Sequence, residues 1–379
     1  MANTHPVILV HGLFGWGPGE VADFPYWGTG RTAPCPLPRH EAKVGPISSM
    51  HDRACELAFQ LRGGRVDYGK AHAARAGHER YGRTYDGDAV LHPGWSARRP
   101  VHLVGHSMGA PTAVLLQQLL EEDAFGWGSN HRWVASISSI SGALNGSTAT
   151  YFFGCSERTG LLKPDSIGDN LAHALEVTLR ATGSSFDDFY DFELDQWGLG
   201  ANRGEPLEDY VARIAASPMF RGKDNGAYSL TIQGLLEQNA RCRTYPGSYY
   251  FSYVTEQTRA GFLTGHHYPD IDMNPLLVPT AIYIGSMHPT RPFYPDYRAQ
   301  DWWPNDGLVS VYSQQFPRTA GHHPVGGVID DATGFRRGRW YHQLLDDVDH
   351  IDIVALPQPH QIPRQRAFYT SLFARLATL

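Results

Sequence analysis

The apolar residues of this chain gather in short runs separated by long stretches rich in glycine and proline. Residues 6–10 (P-V-I-L-V) form an apolar run without polar alternation, the pattern of a strand buried on both faces. Val101-His102-Leu103-Val104 predicts a second strand, and residues 132–142 (R-W-V-A-S-I-S-S-I-S-G) a third. Residues 248–254 (S-Y-Y-F-S-Y-V), 278–285 and 307–312 (G-L-V-S-V-Y) also read as strands, with 351–356 (I-D-I-V-A-L) as the last or its flank. Helical periodicity appears between them. Over 51–80, Ala54, Leu57, Ala58 and Leu61 share one face of a mostly helical stretch. Ala113, Val114, Leu115, Leu116, Leu119 and Leu120 predict a helix after the second strand. Ile167, Leu171, Leu175 and Leu179 recur four apart within 164–182, an amphipathic helix, and 365–379 predicts a C-terminal one. Residues 18–50 read as loop. Strands alternating with helices predict an α/β fold with a mostly parallel sheet. There is no internal repeat, low-complexity tract or clear interdomain linker. The length of 379 residues suits one large α/β domain or two ordinary ones.

Composition narrows the function classes. Hydrophobic residues make up 42% of the chain, enough for a sizeable core, and charged residues only 18%. The formal net charge of -6 supplies no positive field, which argues against a nucleic-acid partner. No apolar run reaches the roughly 18 residues a membrane span needs. The N-terminal M-A-N-T-H-P enters a strand directly, without a basic or apolar leader, so no signal peptide is expected. Cys35, Cys55, Cys155 and Cys242 include no C-x-x-C pair, which argues against a cysteine zinc site. They allow up to two disulfides in three pairings, or none.

Gly105-His106-Ser107-Met108-Gly109 reads G-x-S-x-G between a predicted strand and a predicted helix, the context of a nucleophile elbow. The glycines suit a turn too tight for side chains, and the serine hydroxyl then stands clear of the sheet. A serine hydroxyl needs a base held by an acid. The chain order Ser, Asp or Glu, His discards His11 and His106 as the base. Of the remaining histidines, His350 stands out in D-H-I-D-I-V near the C-terminus. Asp306 in P-N-D-G is the chosen acid, although a plain Asp-Gly turn reads the same way. From spacing alone Asp296, Asp301 and Asp330 stay open. Two donors must face the developing oxyanion. The N–H groups of Met108 and of Leu13, in the loop H-G-L-F-G-W-G, are the candidates. A second constellation, Asp52, His72 and His78, has the ligand types of a zinc site. Histidines six apart do not share a helical face, so the chain must turn between them, and Gly77 permits it. From these residues alone, a polar exposed helix is the simpler reading.

At this point the sequence resembles the zinc-containing thermostable lipases of Bacillus and Geobacillus, related to the staphylococcal lipases. The matching stretches include V-I-L-V-H-G-L-F-G-W-G, G-P-I-S-S-M-H-D-R-A-C-E, V-D-Y-G-K-A-H-A-A-R-A-G-H-E-R-Y, G-H-S-M-G, Y-D-F-E-L-D-Q-W-G-L, L-T-G-H-H-Y-P-D, W-P-N-D-G-L-V-S and D-V-D-H. The resemblance implies an α/β-hydrolase fold with a zinc-bearing insertion near 45–90 and a helical lid or cap near 147–225. It implies Ser107, Asp306 and His350 as a triad. It implies structural Zn²⁺ on Asp52, His72, His78 and, in S-P-M-F-R-G-K-D, Asp224. The implied reaction is carboxylic-ester hydrolysis of water-insoluble acylglycerols at a lipid–water interface. A general carboxylesterase or polyester hydrolase with the same triad is the alternative. A zinc metallohydrolase and a non-catalytic lipid-binding relative are the rivals from other classes. Secretion is implied by the family, with a cytoplasmic location the alternative. Gly105 stands where those lipases have alanine, and the S-G-A-L-N-G-S stretch and residues 147–190 match poorly. The family's calcium site matches in part: Asp352 and Asp272 fall at ligand positions, but Pro357 falls where a carboxylate belongs. Ca²⁺ is therefore left open and Zn²⁺ is expected.

Overall fold

The computed structural model describes residues 3–166, 191–200, 202, 204–319, 321–355 and 357–379. Its central sheet has seven strands in the order β10-β11-β7-β6-β5-β1-β2, and every pairing in it is parallel. These are β1 (Val7–Val10), β2 (Arg39–Ala42), β5 (Val101–His106), β6 (Val134–Ile140), β7 (Tyr249–Glu256), β10 (Val325–Val328) and β11 (Trp340–Asp346). Two short antiparallel hairpins stand apart: β3 (Gly64–Asp67) with β4 (Tyr81–Tyr85), and β8 (Thr258–Ala260) with β9 (His267–Pro269). This is the α/β-hydrolase arrangement that the sequence predicts.

Alternate residues of a strand face opposite sides, so an inner strand needs apolar residues at every position. Accordingly Ile8 and Val10 pack with helices α1 (Met50–Arg62) and α3 (Gly109–Glu121). Val7 and Leu9 pack on the other face, with Trp27 and with Tyr369 and Phe373 of the C-terminal helix Ile362–Thr378. The sheet is thus covered on both faces.

Several expected elements differ. Residues 278–285 form a helix, Val278–Ser286, not a strand. Pro279 sits in its first turn, where no N–H is missed, and Thr280, Ala281, Ile284 and Gly285 bury one face. A short apolar run cannot by itself separate these states. Residues 307–312 are a turn followed by the short helix Val311–Gln314, because the Asp306 carboxylate bonds the N–H groups of Leu308 and Val309. Residues 351–355 form turns. The missed strands β2 and β11 (R-H-E-A and W-Y-H-Q-L-L-D) carry too many polar residues to read as apolar runs. The stretch 51–80 divides into α1, β3 and α2 (Lys70–Ala76), which ends at Gly77 with φ +89. The stripe Ile167, Leu171, Leu175 and Leu179 lies outside the described residues. No helix among the described residues is long and apolar enough to cross a membrane. All four cysteines are unpaired.

The turn from β5 into α3 is sterically closed. Ser107 has φ +54, a left-handed conformation that non-glycine residues adopt at a cost. A Cβ on Gly105 would lie 2.4 Å from the Gly109 carbonyl oxygen and the Ala110 nitrogen. A Cβ on Gly109 would lie 2.0 Å from the Val10 carbonyl oxygen, so α3 starts directly against β1. Gly12 fills the remaining gap, because its Cβ would lie 2.8 Å from that of Ser107. Gly109→Ala should therefore destabilise the fold by at least about 1–3 kcal/mol, the usual cost of overpacking. Gly126→Ala is the control, since Gly126 has φ +67 but open space around it. It should cost only the backbone term of about 1 kcal/mol. Urea denaturation of both variants checks this, and equal losses would contradict the steric account.

Candidate active site

Ser107 lies nearly buried at the C-terminal edge of the sheet. Asp306 and His350 are brought to the same edge from distant loops, and both are buried. His350 Nδ1 lies 2.8 Å from Asp306 Oδ2, and the His350 N–H donates to the Asp306 carbonyl oxygen at 2.9 Å. An ionised carboxylate only accepts, so Nδ1 carries the proton and Nε2 is the basic atom. Asp306 is held from several sides. Its Oδ1 accepts the N–H groups of Leu308 and Val309 at 3.0 and 2.8 Å. Its Oδ2 also accepts the Thr255 hydroxyl at 2.7 Å and the Gln314 amide at 3.1 Å. The Asp-Gly turn and the acid are one feature: one oxygen builds the turn and the other faces the imidazole. Of the other acids, Asp301 pairs with Arg298 and Asp330 bonds the Ala332 N–H. Nothing in the sequence pointed to Thr255 or Gln314.

His11 and His106 have other partners. His11 Nδ1 meets the Gly12 carbonyl oxygen at 2.9 Å. His106 Nδ1 is 2.6 Å from the Tyr26 hydroxyl, and Nε2 is 3.1 Å from the His350 carbonyl oxygen. Burial drives the His106 pKa well below its ordinary value, so the ring is neutral. Nε2 then donates to His350, and Nδ1 accepts from Tyr26. Tyr26 in turn accepts the Gly12 N–H at 2.9 Å. One chain of bonds therefore links the early glycine loop, the elbow and the loop of His350. Arg53 holds the same glycine loop from the other side. Its guanidinium donates to the carbonyl oxygens of His11 and, at 2.8 Å, Gly45. Among the described residues, the N–H groups of Leu13 and Met108 have no acceptor in the protein.

Asp52, His72, His78 and Asp224 form a separate cluster. Asp52 lies in the first turn of α1, and His72 and His78 flank the end of α2. The turn at Gly77 brings both imidazoles to one point. Asp224 arrives from far along the chain because the Gly226 N–H donates to the Ile47 carbonyl oxygen at 2.8 Å. Nε2 of His72 lies 3.1 Å from both Asp52 Oδ1 and Asp224 Oδ1. Nε2 of His78 lies 3.6 Å from Asp52 Oδ2 and 3.2 Å from Asp224 Oδ2. Four donors about 2.0–2.2 Å from a tetrahedral ion are separated by about 3.3–3.6 Å. His78 Nε2 and Asp224 Oδ2 are buried without hydrogen-bond partners. Burial disfavours the His72 imidazolium, but Asp224 and Asp52 outweigh it and raise the pKa to about 9. The cluster thus demands positive charge, and a metal ion fits it. Gln196 donates to Asp52 Oδ2 at 2.8 Å, a partner that sequence reasoning missed.

The calcium positions do not fit in the same way. The Asp272 carbonyl oxygen is capped by the Gln358 amide, and the Gln358 N–H donates to Asp352 Oδ1 at 2.8 Å. Pro357 offers no carboxylate. Asp349 is occupied by the N–H groups of Asn274, Ile351 and Asp352. Only Asp352 Oδ2 is left buried without a partner.

Comparison with known proteins bears on this geometry. The profile of the family described as "Lipase-like, C-terminal domain" matches residues 3–378. Lipase 2 of Staphylococcus aureus is 33% identical, over 93% of this chain and 51% of its own length. The lipase of Staphylococcus hyicus is 33% identical, over 98% of this chain and 57% of its own. The chain thus spans little more than half the length of these curated relatives. Among solved structures, EstA from Clostridium botulinum aligns with a TM-score of 0.83 at 32% identity, covering 100% of this chain and 88% of that one. Lipase 1 from Pelosinus fermentans gives 0.79 at 32% identity, with 100% and 99% covered. The S. hyicus lipase structure gives 0.77 at 31% identity, with 99% and 96% covered. With its parallel sheet and its serine, aspartate and histidine gathered at one edge, the chain belongs to the lipase-like family of the α/β-hydrolase fold.

Proposed function

We propose that this chain is a serine-dependent carboxylic-ester hydrolase whose substrates are acylglycerols. The observation that carries the reading is the 2.8 Å bond between Asp306 and His350 Nδ1, on a loop bonded to the elbow residue next to Ser107. In this reading Ser107 Oγ attacks the ester carbonyl carbon, and His350 Nε2 takes the hydroxyl proton. Asp306 keeps the imidazole in its Nδ1–H form and stabilises the imidazolium. The carbonyl oxygen, now negative, is held by the unengaged N–H groups of Leu13 and Met108. His350 passes its proton to the leaving alkoxide, giving the alcohol and an acyl-serine. Water, deprotonated by the same imidazole, releases the carboxylic acid and restores Ser107. The acylglycerol substrate class rests on relatives named lipases.

Asp52, His72, His78 and Asp224 would hold Zn²⁺, which suits two imidazoles and two carboxylates. Four protein donors fill a tetrahedral shell, so the ion's contribution is a cross-link between the 45–90 insertion and the segment at Asp224. No step of the ester chemistry passes through it.

Ser107→Ala should lower ester hydrolysis on the order of 10³-fold or more without lowering the melting temperature, and His350→Ala should cost about as much. The double variant should lose no more than either single one, because the two groups act as a unit. Retention of the parent rate by His350→Ala would show that another base serves Ser107. Wild-type rates on trioleoylglycerol emulsions should exceed those on soluble short-chain esters; the reverse would favour a general carboxylesterase.

Chelation should lower the melting temperature before it lowers the rate per folded molecule. Binding only the folded state, Zn²⁺ at a hundredfold excess over Kd adds about 2.7 kcal/mol. His72→Ala and Asp224→Ala should each reproduce the chelated melting temperature, with no further drop on adding chelator. Elemental analysis without stoichiometric zinc, together with unchanged melting under chelation, would remove the assignment.

A further inference from the structure

The excursion that follows β7 carries a concentration of exposed apolar surface that the ester chemistry does not use. Thirteen large hydrophobic side chains are exposed among the described residues. Six of them, Phe262, Leu263, Tyr268, Ile271, Leu276 and Ile282, fall within 262–282. Phe262, Ile271 and Leu263 are 101, 100 and 92% exposed, whereas none outside this excursion passes 67%. Single exposed hydrophobes are ordinary, but a cluster of them marks an interaction surface.

Its position ties it to the catalytic edge. The excursion leaves the sheet at the C-terminal end of β7 and returns beside the acid. The Gln257 N–H donates to the Asn305 carbonyl oxygen at 3.1 Å, and the Asn305 N–H donates to the Thr258 hydroxyl at 3.0 Å. The β8–β9 hairpin therefore stands on the residue that precedes Asp306. The hairpin is braced from the side as well. A Cβ on Gly285 would lie 1.9 Å from the His267 carbonyl oxygen, so the helix Val278–Ser286 lies directly against β9. Met273, Leu277 and Ala281 below it pack with Leu308 and with Ile351, which follows His350. At the tip the chain closes on itself, with the Gly261 N–H on the His266 carbonyl oxygen at 2.7 Å.

The charge pattern selects the occupant. Residues 273–290 contain no Asp, Glu, Lys or Arg. Arg259, the one charged residue of the hairpin, is paired with Asp270, Asp346 and Asp347. Asp272 is exposed beside Ile271, and Arg259 alone faces three carboxylates, so the charge around the patch is net negative and offers an anionic headgroup no partner. Phe262 and Leu263 stand on a protruding tip, and a protruding apolar tip enters a fluid phase without needing a matching cavity.

We infer that Phe262 and Leu263 insert into a neutral acylglycerol–water interface and hold the Ser107 edge of the sheet against it. The inference rests on the acylglycerol reading above, but binding can be measured without hydrolysis. Flotation of Ser107→Ala protein with trioleoylglycerol droplets is compared with that of the same protein carrying Phe262→Ser and Leu263→Ser. Removing each large apolar side chain from the interface is worth roughly tenfold in partition, so the combined change should weaken flotation at least about tenfold. In the Ser107 enzyme the pair should lower the rate on droplets while leaving p-nitrophenyl acetate hydrolysis within about twofold. Val328→Ser, an exposed residue on the edge strand β10, should change neither. Flotation unchanged by the pair, or reduced no more than by Val328→Ser, would overturn the inference. So would unchanged flotation accompanied by a loss of self-association in sedimentation, which would make the patch a contact between copies. Absence of all ester hydrolysis by the wild type would instead defeat the catalytic reading, while droplet binding would still decide the anchor.

Discussion

Three backbone segments meet around Ser107 with no room for a side chain between them. The end of β1, the β5 turn and the start of α3 approach so closely that a Cβ on Gly109 would lie 2.0 Å from the Val10 carbonyl oxygen and one on Gly12 2.8 Å from that of Ser107. The turn forces Ser107 to φ +54 and sets its Cβ against Gly12. Leu13 follows Gly12, and its N–H has no acceptor among the described residues. Arg53 then locks the loop by its carbonyl oxygens, and the Tyr26–His106 bonds tie it to the loop of His350. The proposed nucleophile, oxyanion donors and base therefore rest on one connected set of close contacts and hydrogen bonds.

The metal cluster extends that framework. Asp52 and Arg53 are neighbours on α1: one faces His72 and Asp224, the other the glycine loop. An ion at the cluster would brace the helix that grips the loop beside Ser107, without entering the chemistry. The β3–β4 pair beside the cluster is also clasped by ion pairs around the buried Glu193. Glu193 receives Lys43 at 3.0 Å and Arg83 at 2.5 Å, and Arg83 reaches Asp195 at 2.7 Å. With Gln196 on Asp52, the 193–196 segment is anchored on the insertion at several points. Removing a cation from Glu193 would leave a buried carboxylate short of a partner, which is the costly case.

The apolar hairpin adds a third use of the same edge. β7 ends there, the excursion 257–304 projects from it, and the chain returns at Asn305 to present Asp306. Asp306 thus closes a loop whose far end is apolar. Asp306, the proposed acid, and the exposed apolar hairpin share one support.

Much was legible in the sequence because it is local. The G-x-S-x-G turn, the short buried strands β1, β5, β6 and β7 and the C-terminal helix follow from patterns spanning a few residues, where sterics and periodicity act. Motif and chain order singled out Ser107 and His350, Asp306 was one of several acids that spacing left open until the resemblance implied it, and the structure brings Asp306 and His350 into contact. Local patterns also misled, and for physical reasons. The 278–285 run is helical because its burial is one-sided, and β2 and β11 were hidden by polar residues on strands whose pairing alone defines them. Asp224 was reached only through family resemblance, because nothing in its own neighbourhood marks it; the Gly226–Ile47 bond carries it to the cluster. Thr255, Gln314, Tyr26 and Gln196 carry no signal at all in the chain. Their roles exist only where distant segments meet, since hydrogen bonds between side chains far apart in sequence are decided by packing and not by pattern.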